Sequence, residues 1–291
     1  MLGFLLYIQL MLSVENLSYR YPHNADLTLQ QLDFAIAQGE VFGFLGPSGS
    51  GKSTTQKILY KLLTGYEGTI HFAGKPLADW GREFYEQIGV SFELPNHYTK
   101  LTAEENLRFF SSFYARPAGN LHEWLDKVGL GTDANKPVAD FSKGMKMRLN
   151  FVRALLHNPD VLFLDEPTSG LDPINAGKIK RIIRELKAQG KTIFITTHNM
   201  FDADQLCDRV ALLHQGQIKA LDSPATLKLQ YGTRNVRVTT RNEPDQVFPL
   251  DSLGHNPDFM RLLQLNQIET IHSQEATLEE VFIKITGRQL V

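Results

Sequence analysis

Short apolar runs alternate with helical patterns over most of the first 230 residues. Runs with the length and composition of strands lie at 41–45, 161–164, 192–196 and 210–213, and residues 12–17 are a plausible first strand. Between them, apolar residues recur at helical spacing at 54–63, 102–114, 121–128 and 176–188. Helices interleaved with apolar strands favour a parallel sheet that is covered on both faces. The pattern therefore predicts an α/β fold with a mostly parallel sheet as its core.

A helical insertion interrupts this core. The pattern at 102–114 opens with Thr102 and Glu105, which have the spacing of a capping box. We expect a helical subdomain at about 93–160 inside a main domain at 11–232. Beyond residue 232 the apolar periodicity is weaker and indicates one strand at 235–240 and short helices at 259–265 and 278–286. This pattern predicts a small C-terminal α/β extension at 233–291.

The first ten residues are apolar, but they are too short to span a bilayer. They also lack the basic region and the small-residue cleavage site of a signal peptide. A second methionine, Met11, directly precedes the first predicted strand. We interpret residues 1–10 as an N-terminal extension that nucleotide binding does not need. No later stretch reaches transmembrane length, so we expect the chain to be soluble on its own.

The composition limits the possible partners. An apolar content of 42% and a charged content of 21% are typical of a soluble globular protein. The formal net charge is -2, so no basic excess points to a nucleic acid, and none is expected as a partner. Cys207 is the single cysteine, which excludes an internal disulfide and fits a reducing compartment.

One glycine-rich stretch identifies the chemistry. It reads Gly46-Pro47-Ser48-Gly49-Ser50-Gly51-Lys52-Ser53, between the strand at 41–45 and the helix at 54–63, which is the context of a P-loop. Glycines let the backbone N–H groups wrap around phosphate oxygens at the positive end of a helix. Lys52 adds a positive charge at the β- and γ-phosphates, and the Ser53 hydroxyl is suited to Mg²⁺. The alternative is a flexible turn that happens to end in Lys-Ser. The sequence predicts a site for a nucleoside triphosphate.

Two acids follow the strand at 161–164. Asp165 ends the strand, where open α/β sheets bind ligands, and Glu166 follows it. We expect Asp165 to hold Mg²⁺ and Glu166 to activate the water that attacks the γ-phosphate. His198 directly follows the next strand-like run, 193–197, where it could contact that phosphate. Acids at a strand end often only cap a loop, and a lone histidine is more often structural; the P-loop favours the functional interpretation.

Together these motifs resemble the nucleotide-binding subunit of ABC transporters, from about residue 11 to residue 224. The resemblance implies a P-loop NTPase fold of the ABC type. It adds Tyr21, which matches the aromatic that stacks on adenine, and residues 169–172, which match the D-loop. It identifies His198 as the switch histidine and Lys52, Glu166 and His198 as the catalytic group. The nucleotide contacts that it implies are Tyr21, Gly46, Pro47, Ser48, Gly49, Ser50, Gly51, Lys52, Ser53, Thr54, Ser142 and Gly144.

The segment 141–145, Phe-Ser-Lys-Gly-Met, stands where the family signature LSGGQ stands. Ser142 and Gly144 are kept, whereas Lys143 replaces the first glycine. A helix begins near Ser142 and carries an apolar stripe at 145, 149, 152 and 156, so its N-terminus would face an anion. In the family that anion is the γ-phosphate on a second subunit, which implies a head-to-tail dimer. The second subunit could be an identical or a paralogous chain.

Glu93 is the larger departure, because the family has a glutamine here, in the Q-loop. A carboxylate can still ligate Mg²⁺, but it adds a negative charge beside the triphosphate. The resemblance thus implies Ser53, Glu93 and Asp165 as the metal group. We expect an altered Mg²⁺ dependence and an active enzyme.

We therefore predict an ATPase subunit that energises export through a separate integral membrane permease, from the inner face of the cell membrane in the cytoplasm. Residues 276–287 resemble the end of ATPase subunits from ABC-2 type drug exporters. Aromatic residues at 98, 109, 110, 113 and 114 either contact the permease or fill the subdomain's own core. The alternative function is a non-transport ABC-type ATPase that acts on ribosomes or DNA. A P-loop GTPase is excluded because Val138 replaces the aspartate of the guanine-binding motif.

Overall fold

The computed structural model describes residues 9–116, 119–232, 234–241, 244–265, 268–274 and 276–287. Residues 1–8 of the expected N-terminal extension lie outside these ranges. The chain divides into two compact units: the first ends at Leu221 and the second begins at Asp222. The domain boundary expected at residue 232 stays a prediction about the family domain.

The first unit contains two sheets in its described part. Its strands are β1 (Leu10–Tyr19), β2 (Leu29–Ala37), β3 (Val41–Leu45), β4 (Glu67–Phe72), β5 (Lys75–Pro76), β6 (Ile88–Ser91), β7 (Val161–Asp165), β8 (Thr192–Thr197), β9 (Arg209–His214) and β10 (Gln217–Asp222). The larger sheet has the order β10-β9-β3-β8-β7-β6, and β3, β6, β7, β8 and β9 pair in parallel. The predicted mostly parallel core is confirmed.

A second sheet, of order β2-β1-β4-β5, is antiparallel, and the sequence pattern does not predict it as a separate layer. The alternating burial of β1 and β2 shows why it forms: one face of each strand is apolar and the other is polar. The apolar face shares a core with the parallel sheet, in which Phe34 stacks on Phe42 at a centroid distance of 5.7 Å. This core holds the strand that leads into the P-loop.

The helices of the first unit are α1 (Lys52–Leu59), α2 (Phe84–Gln87), α3 (Ala103–Ser111), α4 (Leu121–Lys127), α5 (Lys143–Arg153), α6 (Pro173–Ala188) and α7 (Met200–Leu206). The helices α3, α4 and α5 pack on one another within the expected insertion. The capping box at Thr102 and Glu105 forms and begins α3 at Ala103.

Two helices differ from their predictions. Helix α1 ends at Leu59 rather than at residue 63, because Lys61 adopts a left-handed conformation with φ of 62°, and Leu62 is 61% exposed. In α5, Met145 of the predicted stripe is half-buried, whereas Met147 and Phe151 are buried. Helix α5 is enclosed on more than one face, which a single apolar stripe does not predict.

The second unit is a small α/β fold. It consists of α8 (Pro224–Tyr231), β11 (Asn235–Thr240), β12 (Gln246–Pro249), α9 (Pro257–Gln264), β13 (Ile268–Gln274) and α10 (Leu278–Thr286). The strands form an antiparallel sheet of order β12-β11-β13. Val236, Val238, Phe248, Phe259 and Leu262 make its core. A capping box of Thr277 and Glu280 begins α10, which packs on α8.

Cys207 lies at the end of α7 and packs against the backbone of β3. A Cβ atom placed on Gly43 would lie 2.8 Å from its sulfur, so β3 and Cys207 can approach only because residue 43 is glycine. Burial raises the pKa of the thiol well above its usual range. Cys207 is therefore structural, as the sequence indicates.

Candidate functional site

The P-loop connects the fully buried strand β3 to helix α1. Gly51 has φ of 109° and begins the helix, a conformation that favours glycine. At Gly46 a Cβ would lie 2.2 Å from the carbonyl oxygen of Leu213, so only glycine fits there as well. The Ser50 hydroxyl is buried and has no hydrogen-bond partner in the described residues. A tight loop with an unpaired hydroxyl fits a bound phosphate.

Lys52 is folded onto the loop. Its ammonium donates to the carbonyl oxygens of Gly46 and Pro47, at 2.7 and 3.0 Å. Burial lowers the pKa of Lys52, and the carboxylates of Glu166, Asp165 and Glu93 oppose that shift. The lysine is thus the positive centre of a group of three acids.

Asp165 ends β7 close to the other acids. Burial raises the pKa of its carboxyl, a hydrogen bond from Thr196 counteracts this, and the nearby Glu93 and Glu166 raise it further. Asp165, Glu93 and Ser53 line one cavity of about 970 Å³. Three carboxylates face one lysine, so the site has an excess of negative charge and of the oxygen ligands that Mg²⁺ prefers. Within the described ranges no group of three His, Cys, Asp or Glu residues forms a metal site.

Glu166 is fixed in an unusual conformation. It has φ of 49° and its side chain is buried. One carboxylate oxygen accepts from Thr197 Oγ1 at 2.8 Å, and the other accepts from the backbone N–H of His198 at 2.9 Å. The same oxygen lies 2.7 Å from His198 Nδ1. A left-handed backbone in a non-glycine residue is held only by such surrounding contacts, and it is common at functional sites.

The sequence missed the residues that hold these acids. Thr196 and Thr197 lie in an apolar strand, and only their position directly before His198 could have indicated a role. Asn150, which is fully buried on α5, donates to the carbonyl oxygen of Phe92 at 2.7 Å and lies 3.1 Å from Ser91 Oγ. Asn150 thus ties helix α5 of the insertion to the backbone next to Glu93.

Tyr21 lies beside the P-loop. Its hydroxyl is 3.2 Å from Thr54 Oγ1, and its ring contacts Tyr19 edge-on at a centroid distance of 5.1 Å. The half-buried ring is therefore anchored next to the first turn of α1. Its stacking on adenine stays a prediction.

The signature residues lie apart from the P-loop cavity. Ser142 is exposed and caps α5 by accepting from the backbone N–H of Met145 at 3.2 Å. A Cβ placed on Gly144 would lie 3.4 Å from a methyl carbon of Leu171 in the D-loop segment. Neither Ser142 nor Gly144 lines the cavity that holds Asp165.

The aromatic residues of the insertion divide between half-buried and exposed positions. Tyr114 stacks on His157 with the rings 3.6 Å apart, and Arg153 lies 4.5 Å from the centre of the Phe110 ring. In contrast, Tyr98 is 52% exposed and Phe113 is 66% exposed, and both contact Phe109 edge-on. We call Tyr98, Phe109 and Phe113 the aromatic surface. The exposed rings are thus the candidates for contact with a permease, and Phe110 and Tyr114 are the candidates for packing within the subdomain.

No helix in the described part of the chain has the length and apolar character that crossing a membrane requires. The sequence profile of the family described as "ABC transporter" matches residues 29–169, and that of a "Fluoroquinolone efflux ABC transporter C-terminal domain" matches residues 227–275.

Similar proteins are known in sequence and in structure. A fluoroquinolones export ATP-binding protein of Mycobacterium tuberculosis is 52% identical, over 95% of this chain and 93% of that protein. A solved ATP-binding subunit of an ABC transporter matches with a TM-score of 0.69 and 32% identity, over 76% of this chain and 93% of the other. A dimeric ATP-binding cassette in a post-hydrolysis state with ADP and Pi matches with a TM-score of 0.67 and 28% identity, over 73% and 98%.

Proposed function

The chain belongs to the ABC transporter family as an ATP-binding export subunit, and on that basis we propose the roles that its residues have in the ATPase cycle. It binds and hydrolyses ATP and energises export through a separate membrane permease. The carrying observation is that Lys52, Asp165 and Glu166 form one electrostatic group at the end of the parallel sheet, with Glu166 held by the switch histidine.

The P-loop binds the triphosphate. Backbone N–H groups of residues 46–54 surround the phosphates, and the unpaired Ser50 hydroxyl gains a partner. Lys52 exchanges the carbonyl oxygens of Gly46 and Pro47 for phosphate oxygens, which compensates the charge that burial disfavours. Tyr21, anchored at Thr54, stacks on adenine.

Ser53, Asp165 and Glu93 are the protein groups that would hold Mg²⁺, and the excess of carboxylates around Lys52 supports this assignment. When bound, Mg²⁺ neutralises charge on the phosphate oxygens.

Glu166 acts on the attacking water. It directly follows Asp165 in the chain, and the hydrogen bonds from Thr197 and His198 orient its carboxylate. Glu166 accepts the proton of the water, and His198 keeps the carboxylate in place and contacts the γ-phosphate. Such a positioned base contributes about 10²–10⁴-fold to the rate.

A second copy or a paralogous subunit completes the site. Ser142 and Gly144 lie outside the P-loop cavity of their own chain, and they are at the N-terminus of α5, where N–H groups favour an anion. In a head-to-tail dimer they contact the γ-phosphate on the partner. The dimeric cassette with ADP and Pi, which is similar in fold, supports a dimer.

The aromatic surface docks the permease. Isolated exposed apolar residues are common, but three adjacent aromatic rings beside a cavity are typical of an interface. The cavity that Asp165 and Glu93 line also extends to Tyr98 and Phe110, so the permease lies next to the Mg²⁺ end of the site. Bound to the permease in this way, the subunit works at the inner face of the membrane.

The exported substrate that we propose is a fluoroquinolone. The support is the name of a relative that shares 52% identity over nearly the full chain, together with the match of the C-terminal segment. Contacts to the drug are expected in the permease.

The test has two parts. Tagged chain is purified from detergent-solubilised membranes; we expect an integral membrane protein in near-equal amount, whereas ribosomal or DNA-bound proteins would overturn the transport role. Phe113→Ser should lose that protein while ATP hydrolysis of the isolated subunit continues, and Leu27→Ser, at an exposed residue away from the insertion, is the matched control. With the recovered permease co-expressed, fluoroquinolone accumulation should fall in cells with the wild-type chain and not with Glu166→Gln.

A further inference from the structure

A buried polar network joins the turn after Glu166 to the helix after His198. The turn comprises residues 166–169, because the N–H of Ser169 donates to the carbonyl oxygen of Glu166 at 3.1 Å. Thr168 lies in this turn and is buried, and its hydroxyl donates to Asp202 Oδ2 at 2.6 Å. Asp202 lies in the first turn of α7 and is also buried.

Both oxygens of the Asp202 carboxylate are used. Oδ1 forms an ion pair with Lys180 of α6, whose side chain is 13% exposed. The Lys180 ammonium also donates to Gln205 Oε1 at 3.2 Å, and it lies 5.2 Å from the centre of the Phe201 ring. A buried carboxylate is costly unless it is paired in this way. Lys180 therefore fixes the direction in which Asp202 presents its other oxygen to Thr168.

The turn is held at two points by the same short segment. Thr197 and the N–H of His198 bind the Glu166 carboxylate, and Asp202 binds the hydroxyl of Thr168 two residues later. Asn199 connects the two points: its N–H donates to Thr197 Oγ1 at 3.0 Å, and its side chain accepts from the N–H of Asp202 at 3.0 Å. Because Glu166 has φ of 49°, its backbone needs such support to keep this conformation.

We propose that Asp202, paired with Lys180, is a positioning residue for ATP hydrolysis, which acts by anchoring Thr168 and so holding the Glu166 carboxylate in place. The proposal rests on the proposed role of Glu166. Asp202 and Thr168 act through Glu166, and neither is proposed to touch the nucleotide. Loss of the anchor should therefore lower kcat and leave ATP affinity unchanged.

The test compares Thr168→Val, which keeps the shape and removes the donor, with Thr168→Ser, which keeps the donor. We expect kcat to fall about 10- to 100-fold in the valine variant, since a misplacement of the order of 1 Å has effects of this size. The serine variant should stay close to wild type. Binding of a non-hydrolysable ATP analogue should be the same in all three proteins.

A second pair tests the role of the ion pair. Lys180→Met and Lys187→Met each remove one lysine of α6 that pairs with an aspartate, and Lys187 pairs with Asp208 away from the turn. We expect kcat to fall only in Lys180→Met. Asp202→Asn keeps an acceptor for Thr168 but loses the ion pair, so its kcat should lie between those of wild type and Thr168→Val.

The proposal is overturned if Thr168→Val and Thr168→Ser have kcat values within twofold of each other. It is also overturned if kcat and analogue binding fall together in both lysine variants, because that indicates a general loss of structure. Glu166→Gln tests the proposed role of Glu166 separately from that of Asp202. If this variant hydrolyses ATP at the wild-type rate, the assigned role of Glu166 fails, whatever the Thr168 variants do.

Discussion

Acidification should weaken the first unit through one histidine. His97 is half-buried between the segment that carries Glu93 and helix α5, where its Nε2 lies 3.0 Å from the carbonyl oxygen of Lys146. In the described residues its Nδ1 is buried without a hydrogen-bond partner. Burial lowers the pKa of His97 from 6.5 to about 4; the hydrogen bond to Lys146 opposes this shift, and the charges of Arg153 and Lys146 add to it.

The direction of this pH effect follows from the protons that the folded and unfolded chains bind. Between pH 6.5 and pH 4 the unfolded chain holds the proton on residue 97 and the folded chain does not, so acid favours unfolding. The stability that the neutral His97 contributes is fully present above pH 6.5 and is lost as the pH falls toward 4. From pH 7 to pH 5 the free energy of unfolding should decrease by about 2 kcal/mol on account of His97, from the 1.36 kcal/mol that corresponds to one pKa unit.

Urea unfolding at pH 7 and pH 5 measures this loss. Both tryptophans, Trp80 and Trp124, lie in the first unit, so their fluorescence reports on this unit. Burial also lowers the pKa of His157, so the wild-type chain has other acid-sensitive groups. His97→Gln keeps a donor for the Lys146 carbonyl and cannot titrate, and its loss of stability should be smaller by about 2 kcal/mol. His23→Gln, at an exposed histidine, is the control. Equal losses in wild type and His97→Gln would refute the reasoning.

Three further predictions concern the nucleotide site. Glu166→Gln should lower ATP hydrolysis by about 10²–10⁴-fold while ATP binding persists, as single-turnover assays and equilibrium titration would show; hydrolysis at the wild-type rate would contradict the assigned role. Glu93→Gln should remain active and need several-fold more Mg²⁺ for half-maximal hydrolysis, because an amide oxygen replaces a carboxylate. Glu93→Asp, which keeps the carboxylate, is the control. An unchanged Mg²⁺ titration of Glu93→Gln would show that Glu93 is not a ligand. Gly51→Ala should lose about 1–3 kcal/mol of stability and its ATP affinity, since residue 51 has φ of 109° and the new methyl group would lie 2.6 Å from a Leu29 side-chain carbon. Gly65→Ala is the control: with φ of 77° and open space around the new methyl group, it should lose only stability. Equal ATP affinities of the two variants would contradict this prediction.

The sequence predicts the parallel sheet and the P-loop because both are local patterns. The run at 161–164 is apolar throughout and the run at 192–196 has an apolar centre between two threonines, as suits strands that are buried on both faces. The structure extends these runs only to Asp165 and Thr197. The predicted end of α1 is wrong because Leu62 and Leu63 continue the helical spacing, whereas the backbone of Lys61 leaves the helix.

The contacts that fix the site could not be predicted in the same way. Asn150 and Phe92 lie 58 residues apart, and Thr168 and Asp202 lie 34 residues apart. Ser, Thr, Asn and Asp occur in most loops and helix ends, so their pairing depends on the tertiary structure alone. The positive φ of Glu166 likewise has no signature in the sequence, because glutamate rarely adopts it.

The packing of Cys207 against Gly43 has a practical use. The only thiol of the chain is buried and its pKa is raised, so maleimides should leave it unmodified in the folded protein. New cysteines on the surface can then carry fluorophores for distance measurements without prior removal of the native one. The slow rate at which Cys207 itself is modified would report how often the strand that leads into the P-loop opens, and ATP should lower that rate.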